Sequence, residues 1–396
     1  MHLLTGARRS YDWGSIAAMP EFLNLPTDGE PFAELWLGAH PTGPSTVETP
    51  GGAERLDEFV SRNERRHLGE RVIAGFGRLP YLVKLLAPAK PLSIQVHPTR
   101  EMAEEGFHEE ERRGVPVSDP QRSFKDRSNK PEMVYAITGF EGLVGFRPHE
   151  EIVRLLDAIA GPLASARELL SDVRAEDGLK LMLETMVGLA ADDINTVVGI
   201  SVSMATAHPD PEVRAACATV VELAQQYPGD VGAVVSLVLN RVQLEPGQLV
   251  FLGDGVPHAY LGGFGLEIMA NSDNVLRLGL TSKHIDVESM LHAIDFSSWG
   301  FEVSTGPGDA VTHVFGPPVP EFALSITRPD KSSQGSTVLP GDGPRILVCL
   351  DGEITAATNA APHGRSITKG QSLFVSAADG DITVRGNGTV AQAFVP

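Results

Sequence analysis

Two cysteines, Cys217 and Cys349, stand far apart in a chain of 396 residues, with no CxxC pair. That excludes a disulfide framework and a cysteine-based zinc site, and it suits a reducing cytosol. Both read as small buried apolar groups. Positive charge is scarce: 32 Lys plus Arg against 51 Asp plus Glu give a net charge of −19. A field of that sign repels phosphate backbones and anionic leaflets, so neither nucleic acid nor membrane is expected as a partner. Long apolar runs are also missing. The longest, such as VGAVVSLVL at 231–239, fall far below the ~18 residues that span a bilayer. The opening MHLLTGARRSYDWG has no apolar core of signal-peptide length, and its Arg pair follows the apolar patch. A cytoplasmic location is therefore expected. There is no Walker A motif and no GxGxxG between strand and helix, and GGFG at 262–265 is too short to serve as one.

What the chain does contain is globular: 42% hydrophobic and 21% charged residues. Gly (41) and Pro (29) together make 70 residues, about 18% against the roughly 12% of average usage. Turns and short strands follow from that. Length predicts two to three domains. Strand-like runs LPYLVKLL (79–86) and PLSIQVHP (91–98) are separated by Lys90-Pro91, and MVYAIT (133–138) with LVGF (143–146) reads as a hairpin. The charged run 100–114 reads as an exposed helix with a solvated face. From 149 the period changes. Ile152, Leu155, Leu156 and Ile159 follow helical spacing, and Asp210-Pro211-Glu212 is a helix start followed by the apolar stripe Val213, Ala216, Cys217, Val220. Strand signals return after Arg241, and beyond about 320 the chain alternates between Gly-, Pro- and Asp-marked turns. The class is mainly β with a helical block, and the expected segments are 1–148, 149–240, 241–305 and 306–396.

Three groups carry chemistry. In the strand PLSIQVH, Ser93, Gln95 and His97 share one face, and three polar groups in a row demand water or a ligand. In PGQLVFLGDGVPHAYL, His258 and Tyr260 share a face after a Gly/Asp-rich turn, a pattern that resembles the second histidine motif of cupin barrels. Glu132 begins the strand after Lys130-Pro131 and by itself reads as half of an ordinary surface pair. Two imidazoles, a carboxylate and an amide suit a divalent metal with open positions; manganese, iron, cobalt and zinc all remain open on that chemistry.

The runs ELWLGAHP (34–41), LPYLVKLL…PLSIQVHP (79–98), NKPEMVYAI (129–137) and GDGVPHAYLGGFGLEIMANSDNVLRLGLTSKHID (253–286) closely resemble type I mannose-6-phosphate isomerases, in order and in spacing. The resemblance implies a cupin jelly-roll barrel, a helical domain inserted into it and a second, metal-free C-terminal jelly roll. It implies one zinc held by Gln95, His97, Glu132 and His258, and a sugar phosphate as substrate. It also implies a place in carbohydrate metabolism, as in GDP-mannose biosynthesis. Arg277 matches the active-site arginine. Lys84, Lys130 and Lys283 match lysines near substrate, Ser93 a polar contact, and Tyr260, Glu267 and Asp273 the polar pocket. Glu34 is expected to line the site, Trp13 and Trp36 to pack. Glu267 or a metal-assisted group, with Lys130 as rival, is the expected base. A monomer is expected. Two departures stand out: Thr99-Arg100 follows His97-Pro98, and Asn129 occupies a position where the family often has histidine, so no base is expected there. An iron cupin oxygenase with a His97–Glu132–His258 triad, and a non-catalytic sugar-phosphate sensor, are the competing readings. Given the −19 overall, any phosphate must meet a local basic patch formed by Lys84, Lys130, Arg277 and Lys283.

Overall fold

The computed structural model describes residues 1–172, 175–297, 301–305, 311–329 and 336–396, without the side chains of 171–176. The expected boundary between 305 and 306 falls at the edge of what is described.

Two large sheets, antiparallel throughout their described pairings, carry the architecture. One contains Glu34–Leu37, Tyr81–Leu86, Ile94–Val96, Glu132–Phe146, His258–Ala270 and Leu276–Gly279. The other holds the C-terminal strands, including Asp342–Thr358, Ser372–Val375 and Ile382–Val395. This partition does not follow chain order. His2–Thr5 pairs with Ser372–Val375 and with Thr46–Thr49, so the beginning of the chain belongs to the C-terminal sheet.

Strand alternation explains how the two sheets meet. Tyr81, Val83 and Leu85 on one strand, and Leu266, Ile268 and Ala270 on its neighbour, join Ile346, Phe374 and Ala391 in a shared core. The intervening residues Lys84, Leu86 and Glu267 face the opposite side. Tyr81 is fully buried, and its hydroxyl lies 3.1 and 3.0 Å from the carbonyl oxygens of Pro344 and Ala393, linking the sheets.

The 133–146 stretch is not a hairpin. It is one strand, Glu132–Phe146, because its neighbour His258–Ala270 pairs with both halves and absorbs the irregularity near Gly139 in two register shifts. Gly263 makes this possible: its φ is +118°, and a Cβ there would lie 2.5 Å from the Gly139 carbonyl oxygen. The charged run forms the helix Arg100–Arg112 as expected, with the Thr99 hydroxyl as its N-cap. Its face is not wholly solvated. Glu110 is buried, and its two carboxylate oxygens accept from the backbone N–H groups of Ser123 (2.9 Å) and Phe124 (2.8 Å).

Between Phe146 and Leu239 the described chain is helical, from His149–Ile159 to Val231–Val235 and a final 3₁₀ turn. Ile152, Leu155, Leu156 and Ile159 are buried along the first helix. Asp210 caps Pro211–Gln226, whose Val213, Ala216, Cys217, Val220 and Leu223 are buried. The strands flanking this segment, Glu132–Phe146 and Leu239–Leu244, pair with each other. The helices share a core with Ile94, Val96, Leu143, Phe146, Leu276 and Leu278 of the first sheet. Both cysteines are buried and free.

His67 supplies a test of this packing. It lies against Phe59, with ring centroids 4.1 Å apart, and its Nδ1 is 2.8 Å from the Ser376 hydroxyl. Burial, with Arg66 beside it, lowers its pKa from 6.5 to about 4. The unfolded chain therefore takes up a proton below pH ~6.5 that the folded one refuses until about pH 4. That part of the stability is present above pH ~6.5 and is lost as pH falls through this window. Melting temperatures between pH 7 and 4.5 are expected to fall less steeply for His67→Gln than for the parent; parallel curves would refute the assignment.

Candidate metal centre and substrate pocket

Two cross-strand rows build the site. In the first, His258 lies opposite Gln95, and Gln95 opposite Arg277, so three side chains from three strands stand side by side. In the second, Trp36 lies opposite Lys84 and Lys84 opposite Glu267. Glu132 is opposite Met269, two residues from Glu267 on the same face. His97 follows Ile94–Val96, and its carbonyl oxygen accepts from the Gly255 N–H (2.9 Å), joining it to the turn that leads to His258.

The first row and Glu132 converge at atomic range. His97 Nε2 lies 3.1 Å from Glu132 Oε1, and His258 Nε2 lies 3.5 Å from Glu132 Oε2. The Gln95 carboxamide lies 3.3 Å from His258 Nε2, and a half-turn of its plane presents the oxygen. His97, Glu132 and His258 are buried, with ligand atoms all within 4.8 Å of one another. The far side of each ring fixes its tautomer. His97 Nδ1 is 2.7 Å from the Asn274 carbonyl oxygen and His258 Nδ1 is 2.9 Å from that of Val256, so both Nδ1 atoms carry the proton. Each Nε2 lone pair then faces carboxylate lone pairs. His97 Nε2 has no hydrogen-bond partner among the described residues. Such a cluster is repulsive unless a cation lies within it. Donors ~2.1 Å from a tetrahedral ion stand ~3.4 Å apart, which the 3.1–3.5 Å separations match. The residues present fit a divalent metal.

Electrostatics agree. Burial lowers the His97 pKa to about 4, aided by Lys130, so the ring is neutral and able to ligate. Burial would raise the Glu132 carboxyl, but the opposing pull, led by the Lys130 ammonium beside it, holds it well below its usual range. Lys130 Nζ lies 2.6 Å from Glu132 Oε1.

The cluster opens into a cavity of about 500 Å³. Eleven of the thirteen expected site residues line it: Glu34, Lys84, Ser93, Gln95, Lys130, Glu132, Tyr260, Glu267, Asp273, Arg277 and Lys283. His97 and His258 stand fully buried behind Glu132. Lys84 pairs with Glu267 at 3.0 Å. Burial opposes the Lys84 charge, but Glu267 and Glu34 outweigh burial and raise its pKa. The Glu267 carboxyl is raised by burial against the pull of Lys84, and the Tyr260 hydroxyl is raised well above its usual value by burial and by Glu267. The expected basic patch is narrower than four residues: Lys84 and Lys130 are already paired, whereas Arg277 and Lys283 form no ion pair among the described residues.

Sequence reasoning missed several lining residues. Tyr11, Asp12, Tyr227, Thr281 and Ser282 reach the pocket, and Trp13, expected to pack, lines it too. Only the YDWG motif hinted at the first group. Asn274 was also missed. Its amide bonds the backbone of Lys125, Asp126 and Ser128, and its carbonyl orients His97. Asn129 is absent from the pocket. Its Nδ2 donates to Asp254 Oδ2 (2.9 Å), in keeping with no base at that position.

A buried ligand cluster that fits a divalent metal, a buried lysine–glutamate pair and two cations with no ion pair among the described residues, all around one polar cavity, point to a class, metal-dependent enzymes that act on small anionic substrates. Residues 1–149 match the phosphomannose isomerase type I catalytic domain. Mannose-6-phosphate isomerase of Escherichia coli (strain K12) is 34% identical over 100% of this chain and 99% of its own, and mannose-6-phosphate isomerase 1 of Arabidopsis thaliana is 34% identical over 95% and 89%. A crystal structure of a point mutant of phosphomannose isomerase from Salmonella typhimurium superposes with a TM-score of 0.91 at 32% identity, covering 100% of this chain and 99% of that one. A zinc-bound mannose 6-phosphate isomerase gives 0.89 at 32%, with the same coverage. The chain belongs to the type I phosphomannose isomerase family.

Stripping the protein with a chelator is expected to lower its melting temperature, because an ion that binds only the folded state stabilises it by mass action. Returning zinc should restore it. His97→Ala should bind no metal by elemental analysis and show no response to added zinc; full metal content in that variant would rule out the cluster.

Proposed function

We propose that this protein is a zinc-dependent aldose–ketose isomerase that interconverts mannose 6-phosphate and fructose 6-phosphate through a cis-enediolate. The observation that carries the reading is the sharing of one 500 Å³ cavity by the His97–Glu132–His258 cluster, the Lys84–Glu267 pair and the unpaired Arg277 and Lys283. Gln95, His97, Glu132 and His258 would hold the zinc, which when bound polarises sugar oxygens.

The remaining chemistry falls to side chains. Glu267 is the base that takes the C2 proton and returns it at C1; burial raises its pKa toward the working pH, as a general base requires. Lys130 is unsuited to that task, since its ammonium is held against Glu132 at 2.6 Å. Lys84 remains charged beside Glu267 and orients it. The Tyr260 hydroxyl stays protonated, as its raised pKa requires, and serves as a donor. Arg277 stabilises developing oxyanion charge and, with Lys283, receives the phosphate. Ser93, Glu34 and Asp273 line the wall where sugar hydroxyls would be oriented. An oxygenase or a non-catalytic sensor is not favoured by this constellation.

The finer architecture is part of the same proposal. The sheet around the site is a cupin jelly roll, residues 149–240 are an inserted helical domain, and the C-terminal sheet is a second, metal-free jelly roll. Action as a monomer and a cytoplasmic setting, which suits the buried free cysteines, belong to the same proposal.

A coupled assay should detect fructose 6-phosphate from mannose 6-phosphate, lost on chelation and regained with zinc; no product from zinc-replete protein would overturn the reading. Glu267→Gln should reduce kcat by roughly 100-fold or more with zinc content unchanged. Near-normal turnover would remove Glu267 as the base.

A further inference from the structure

The turn that delivers Lys283 to the pocket is held from outside the pocket by one carboxylate. Asp230 ends the loop after Tyr227 in the helical segment and caps the short helix Val231–Val235, with Oδ1 accepting from the Gly232 N–H at 2.7 Å. The same Oδ1 also accepts from the Leu280 N–H at 2.7 Å, and Oδ2 accepts from the Thr281 N–H at 3.0 Å. The residues bound in this way are the hinge of the turn. Leu280 has φ of +54°, a conformation that a branched side chain adopts only when its surroundings enforce it. Thr281, Ser282 and Lys283, which follow at once, all line the cavity, and the Thr281 hydroxyl accepts from the Lys283 N–H at 3.1 Å.

The backbones on either side of this clamp touch. A Cβ on Gly232 would lie 2.6 Å from Leu280 N, and one on Gly279 would lie 2.5 Å from Gly232 Cα. Two glycines thus bring the chain close enough for a single carboxylate to reach three N–H groups. A carboxylate accepting from backbone N–H groups makes charge-assisted bonds, about twice as strong as neutral ones. Tyr227, three residues earlier, lines the same cavity and donates its hydroxyl to the Pro91 carbonyl oxygen (2.6 Å), two residues before Ser93. The helical segment is thereby attached to the pocket wall at two points, and Asp230 is the one that sets the Lys283 turn.

We propose that Asp230 is a positioning residue for phosphate recognition: it holds the Leu280–Thr281 turn so that Ser282 and Lys283 meet the substrate's phosphate alongside Arg277. This rests on the reading above that Arg277 and Lys283 receive the phosphate. Asp230 itself touches no substrate. Its removal should therefore weaken the grip on the phosphate and leave the proton transfer at Glu267 unchanged.

The test uses the zinc-loaded enzyme with mannose 6-phosphate as substrate and inorganic phosphate as competitive inhibitor. Asp230→Asn keeps a good helix cap but replaces one accepting oxygen with a donor that opposes the turn's N–H groups. Loss of one charge-assisted hydrogen bond predicts a KM and a phosphate Ki raised roughly tenfold, with kcat within about threefold. Gly279→Ala, which pushes the same two backbones apart, should show the same split, and it answers if Asp230→Asn folds poorly. Lys283→Met separates the two levels of inference. If it leaves KM and the phosphate Ki unchanged, the phosphate reading of the pocket fails and the proposal fails with it. If Lys283→Met raises both but Asp230→Asn and Gly279→Ala lower only thermal stability, or lower kcat and leave the phosphate Ki alone, Asp230 is structural and the proposal is overturned. In the Lys283→Met background, Asp230→Asn should add little.

Discussion

A carboxylate with essentially no access to water, Glu132, must remain charged for this site to exist, and much of the surrounding structure serves that condition. Removing a carboxylate from water costs several kcal/mol, and Lys130 at 2.6 Å supplies part of the compensation. The two imidazoles do not, because both Nδ1 protons are directed at backbone carbonyls, away from the carboxylate. The Tyr260 hydroxyl donates to Glu132 Oε2 at 3.3 Å, and the rest of the compensation is left for an ion. Asn274 belongs to the same system: by bonding the backbone at 125, 126 and 128, it fixes the carbonyl that orients His97. A ring held in this way cannot turn to donate to Glu132, so the cluster keeps its affinity for a cation.

Division of labour across the cavity follows from strand alternation. Tyr81, Val83 and Leu85 on one strand and Phe264, Leu266, Ile268 and Ala270 on its neighbour enter the core between the sheets, and Lys84, Leu86 and Glu267, which lie between them, line the pocket. A one-residue slip would move Lys84 and Glu267 into that core and bring Val83 and Ile268 to the site. The Lys84–Glu267 pair is therefore set by a register that more than a dozen apolar side chains enforce.

Much of this was legible in the sequence, for a physical reason. Side chains two apart on a strand must share a face, so Ser93, Gln95 and His97, or His258 and Tyr260, could be grouped without knowing the fold. What no local pattern could supply was which strands adjoin. The opposition of Arg277 to Gln95, and of Glu267 to Lys84, needs sheet order, and here the family resemblance stood in for it. Where local signals misled, a partner strand was the cause: two strand-like runs, the first ending at Gly139, suggested a hairpin, yet a neighbour with two register shifts kept the strand continuous. Glu110 was hidden in a run of charges for a similar reason, since its backbone partners lie 13 and 14 residues away. Pro228-Gly229-Asp230 marks a helix start, but the hold of Asp230 on the 280–281 turn, like the role of Asn274, gave no signal because each acts through backbone N–H and carbonyl groups, which every residue has.

The pairing of His2–Thr5 with Ser372–Val375 has a consequence for how the molecule is made. The strand His2–Thr5 is made long before its lateral partner Ser372–Val375, so this part of the C-terminal sheet cannot close until that later segment has been synthesised. The strands around the metal cluster lie within residues 34–279 and face no such delay. Assembly in the cell would then run from the catalytic sheet outward, with an apolar N-terminal edge waiting through most of translation. Closing that edge is then a late event in folding, which formation of the active site does not have to await.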